Sequence, residues 1–120
     1  MTTQVLSAEF EGRLARFAEL EPHWDGYNGL PIPQIVIERA RYFVNLLAPI
    51  VGEPWVGPCA TGEILLQCQL PGGKTVDFYV DEQINDWEVA FCDPSREPAV
   101  SGHDVTDEAG LVQFLTQAVA

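Results

Sequence analysis

The stretch from residue 63 to residue 80, EILLQCQLPGGKTVDFYV, decides the fold, because its apolar residues recur every second position. Ile64, Leu66, Cys68 and Leu70 fall on one side of an extended chain and Leu65, Gln67 and Gln69 on the other. Pro71-Gly72-Gly73 is a turn signal. After it Val76, Phe78 and Val80 share a face opposite Thr75, Asp77 and Tyr79. A third alternating run follows in DWEVAFC, residues 86–92, with Trp87, Val89 and Phe91 on one side and Glu88 and Ala90 on the other. Three such runs joined by short turns predict an antiparallel meander with one apolar face and one mixed face. The short Trp55-Val56 stretch adds a fourth strand if Gly57-Pro58 does not cut it off.

Outward from the meander, the period becomes helical. Upstream, Ser7 is an N-cap, Glu9 and Glu11 occupy a first turn where negative charge is favoured, and Phe10, Leu14 and Phe17 align at i, i+4, i+7. A second helix starts at Pro33 and carries Val36, Ala40, Phe43 and Leu47, with Pro49 as its expected stop. Downstream, DPSREPAVSGHD reads as a polar loop that places His103 in solvent. A last helix follows, capped by Asp104 or Thr106, with Asp107 and Glu108 in its first turn and Leu111, Phe114, Leu115 and Ala118 as its apolar stripe. The expectation is an α+β domain spanning residues 1–120 in the order ααβββα, with the helices packed on one face of a three-stranded sheet, or a four-stranded one.

Between the first two helices lies HWDGYNGLPIP, residues 23–33. Asp25 and Asn28 suit side-chain bonds to the backbone two residues on, and Gly26 and Gly29 permit positive φ. Trp24, Asp25, Gly26 and Tyr27 are therefore expected to form a structural corner, with the two aromatic rings covering the joint between helices. An acid-base role for His23 and Asp25 has no enforced geometry. His103-Asp104 is no better placed, since loop neighbours seldom align as a base and its orienter must. Neither histidine has a second histidine or a cysteine at i+4, and Cys59, Cys68 and Cys92 lack C-x-x-C spacing, so no metal, cofactor or disulfide framework is expected. The cysteines read as small buried thiols.

Charge is the remaining signal. The 120 residues hold 18 acids and 6 bases, net −12. Residues 1–50 carry 6 acids and 4 bases, whereas residues 51–120 carry 12 acids and 2 bases, net −10. Such a balance disfavours direct contact with nucleic acid or an anionic membrane, because both repel it. No basic region followed by an apolar run opens the sequence and no stretch is long enough to span a bilayer, so a cytoplasmic location is expected.

Trp24-Asp25-Gly26 followed by Leu30-Pro31-Ile32, a helix and a meander resembles a loose group of small bacterial proteins with a WDG…PI motif. The resemblance covers residues 15 to 90 and implies a bacterial or phage origin without implying an activity. In type, a small, strongly acidic chain lacking catalytic motifs is similar to phage anti-CRISPR proteins and to some antitoxins. The expected function is non-enzymatic: occlusion of a basic, nucleic-acid-handling protein surface by Asp77, Tyr79, Asp81, Glu82, Asp86, Trp87 and Glu88, with carboxylates standing in for phosphates. The alternative is an adaptor that dimerises through the sheet by way of Gln67, Gln69, Thr75 and Tyr79. A small hydrolase built around His23 ranks third.

Overall fold

Five strands pair in chain order, each antiparallel to the next, to form one sheet. The computed structural model describes residues 7–82, 87–105 and 107–119. The elements are α1 (Ala8–Phe17), α2 (Gln34–Val51), β1 (Trp55–Pro58), β2 (Ile64–Gln69), β3 (Thr75–Val80), β4 (Trp87–Cys92), β5 (Val100–Val105) and α3 (Glu108–Val119), with a 3-10 turn at Pro71–Gly73 between β2 and β3. The α+β class follows the sequence pattern, but the order is ααβββββα: β1 lies where the Trp55-Val56 stretch suggested a fourth strand, and β5 exceeds the three or four strands expected.

The period-two pattern sets the central register. Ile64 pairs with Val80, Leu66 with Phe78 and Cys68 with Val76. All six side chains are fully buried. Val56 and Val89 extend this apolar face to β1 and β4. The helices supply the other half of the core: Phe10, Leu14 and Phe17 from α1, Leu111 and Leu115 from α3, and from α2 a stripe made by Val36, Ile37, Ala40, Phe43, Val44, Leu47 and Ala48. Phe43 meets Phe78 edge-on, centroids 6.3 Å apart, at the helix-sheet contact. Such edge-to-face pairs are favourable beyond the area they bury.

Three boundaries differ from expectation. First, α2 runs through Pro49 to Val51 and closes where Gly52, at φ 79°, donates its N–H to Ala48 O at 2.8 Å. Proline in the last turn removes one backbone bond, and the loss is offset because Ile50 and Val51 still pack against the core. Second, the expected loop before α3 contains β5, which pairs with β4 over six positions from Cys92↔Val100 to Trp87↔Val105. Of its residues only Val105 is buried, so β5 has no apolar alternation to betray it. Third, the expected cap Asp104 belongs to β5 and Asp107 Oδ1 accepts the Gly110 N–H at 2.7 Å, while the other expected cap, Thr106, lies outside the described residues.

Candidate binding surface

The odd-numbered positions of β2 and β3 point away from the helices and, with their neighbours, form rows across a sheet face on which no helix packs among the described residues. One row runs Trp55, Gln67, Asp77, Ala90, Gly102; another runs Gly57, Leu65, Tyr79; a third runs Gln69, Thr75, Cys92, Val100. Trp55, Tyr79 and Val100 are each about half exposed or more (48%, 51% and 60%). Large apolar groups standing in solvent on a continuous face mark a contact surface more often than isolated ones do.

Its charge is one-sided. The five strands contain Asp77, Glu88 and Asp104 and no lysine or arginine. The cations sit on helices and turns, and four of the six are engaged there by polar partners: Arg13 with Glu9 (3.2 Å), Arg41 with Glu11 (3.0 Å), Arg96 with Asp93 (3.4 Å), and Lys74 Nζ with Ala118 O (3.2 Å). Near the middle of the face, Asp77 Oδ1 is shielded from water and meets no hydrogen-bond donor among the described residues. A carboxylate oxygen in that position is costly until a donor reaches it.

Of the expected contact residues, the face unites Asp77 and Tyr79. Asp81 and Glu82 lie past the end of β3, in a groove shared with Pro31, Pro33 and Glu63. Asp86 is outside the described residues. Trp87 and Glu88 begin β4, paired in register with Val105 and Asp104, and their side chains are likewise outside the description. At one edge the Trp55 ring lies over Gly57, where a Cβ would collide with it. The Arg13 guanidinium reaches the same ring from α1, 5.9 Å from its centroid.

The 23–33 corner is held by its own polar groups. Asp25 Oδ1 accepts the N–H of Tyr27 (2.9 Å) and of Gly29 (2.8 Å), and the Trp24 indole donates to Leu30 O at 2.7 Å. The Tyr27 N–H, first, and that of Gly29 hold the Asp25 carboxyl below its ordinary pKa. Two details depart from expectation. Positive φ falls on His23 (67°) and Gly26 (83°), not on Gly29. Tyr27 is 80% exposed and covers no joint, whereas Trp24 is half-buried. Among the thiols only Cys68 is fully buried; Cys59 and Cys92 are half-buried. Burial, reinforced by Asp77, pushes the Cys68 thiol up to about 12.

One feature escaped the sequence reading. Because His103 pairs with Val89 and Ser101 with Phe91, both lie on the helix side of β5 and face a cleft beneath α3. Only the register of β5 could have revealed this, and β5 has no period of its own. Among the described residues no group of three or more His, Cys, Asp or Glu is placed to hold a metal ion, and no helix is long and apolar enough to cross a membrane. No protein-family model, curated protein or solved structure matches the chain.

Proposed function

We propose that this protein is a non-enzymatic binding protein whose uncovered sheet face occludes a basic surface on a nucleic-acid-handling protein, as an inhibitor of the anti-CRISPR or antitoxin type. The observation that carries the reading is Asp77: a water-shielded carboxylate oxygen with no donor among the described residues, on strands that contain no lysine or arginine and beside the exposed Tyr79 ring. An arginine from a partner pairs with the Asp77 carboxylate as the side chains that shield it move aside, and stacks its planar group on the aromatic ring. The same charge repels nucleic acid itself, so the contact is with protein.

The test is capture from a bacterial lysate, with bound proteins identified and eluted in salt steps, comparing two variants of equal charge change. Asp77→Asn with Asp104→Lys alters the face; Glu19→Lys with Glu21→Gln alters exposed positions beside the corner. The proposal expects a captured protein with a basic surface, lost from the face variant and kept by the other. Equal retention by both contradicts it. A concentration-dependent homodimer abolished by Tyr79→Ser would favour the sheet-dimerising adaptor instead.

A further inference from the structure

We propose that the cleft between α3 and the β4–β5 hairpin binds a small aromatic monocarboxylate. The cleft encloses about 300 Å³, at the small end of the range for ligand pockets. Its position on the helix side of the sheet separates it from the face described above.

Its charge runs against that of the molecule. Two of the six lysines and arginines, Lys74 and Arg96, line it, while Asp93 is the one acid among its described lining residues. Asp93 Oδ1 is already occupied by the Ser95 hydroxyl (2.6 Å) and N–H (3.0 Å). Lys74, Arg96 and Asp93 together therefore leave this lining one net positive charge in a chain of net −12. That matches a single negative charge. A dianion would meet both the surrounding acidic field and the carboxyl end of α3, where Lys74 already answers Ala118 O.

Its walls are planar. His103 and Phe114 lie 5.0 Å apart between centroids, Phe91 and Phe114 6.0 Å, and Phe91 and His103 6.4 Å. Ser101 Oγ, 2.9 Å from His103 Nε2, fixes the imidazole orientation. Three converging rings favour an aromatic guest in edge or offset contact. Arg96 meets Asp93 through Nε and remains three-quarters exposed, so its planar fork suits a carboxylate better than a point charge would.

Benzoate is the probe, followed by two-dimensional amide NMR at neutral pH, with benzyl alcohol and inorganic phosphate as comparators. The expected result is saturable shifts at Phe91, Ser101, His103 and Gln117, with both comparators at least about tenfold weaker. Arg96→Gln, in an exposed loop, should weaken benzoate about tenfold while leaving the remaining spectrum unchanged; Lys74→Met should act in the same direction. No saturable shift, binding no tighter than benzyl alcohol or phosphate, or binding that survives Arg96→Gln overturns the proposal.

Discussion

Asp25 shows how much of a loop one carboxylate organises. Its two backbone bonds to Tyr27 and Gly29 favour the ionised form, so its folded pKa lies below the ordinary aspartate value. A depressed carboxyl pKa contributes stability that is present above the unfolded value and is lost as pH falls through the folded one. Asp25→Asn keeps an acceptor oxygen but removes the charge. The variant should therefore melt below the wild type at neutral pH, with the gap closing as pH falls through the depressed folded pKa of Asp25. A gap that does not change with pH would mean that the charge plays no part. Gly29, which sequence reading valued for its φ, matters for space: a Cβ there would lie 2.6 Å from Asp25 Oδ1. A residue type reveals that a turn exists before it reveals which constraint the turn imposes. Cys68 gives a second residue-scale prediction. With its pKa raised to about 12 by burial and Asp77, it should resist a thiol reagent in the native protein at mildly alkaline pH, while half-buried Cys59 and Cys92 react first. Thiol titration with mass mapping checks the order, and early modification of Cys68 would contradict it.

At the scale of elements, legibility followed apolar periodicity. β2 and β3 were plain because each buries alternate side chains. The helices were plain because their stripes recur at helical spacing. β5 was hidden because it buries Val105 alone and is held by its backbone ladder to β4. Pro49 misled for a related reason, since local propensity yields when the residues beyond a proline have core to pack against. β1 is short, and its Gly57 has a definite job. It leaves room for the Trp55 ring to lie across the strand under Arg13. Gly57→Ala should push that ring into solvent and lower stability by about 1–3 kcal/mol, the usual cost of overpacking. The ring's displacement is checked by quenching of tryptophan fluorescence, with Trp55→Phe assigning the signal, and the stability by urea denaturation. Unchanged quenching and stability would show that the ring does not rest on this glycine.

For the whole molecule, segregation of charge matters more than its amount. Net −12 was visible in the sequence, but its placement was not. The expected cluster combined Asp77 with Asp81 and Glu82, whereas the fold sets Asp77 on the sheet face and the other two in a groove past the end of β3. Sequence position could not separate them, because only the strand end determines where the face stops. The cation-free sheet and the cationic cleft under α3 likewise emerge only once the strands are in register. The most direct measurement is the association rate of the captured partner at two ionic strengths, for folded wild type and the two charge-matched variants. A face that steers a basic partner predicts that Asp77→Asn with Asp104→Lys slows association and flattens its salt dependence, while Glu19→Lys with Glu21→Gln leaves both close to wild type. Equal slowing by the two variants would show that the acidity acts as a general field, and the sheet-face account would be wrong.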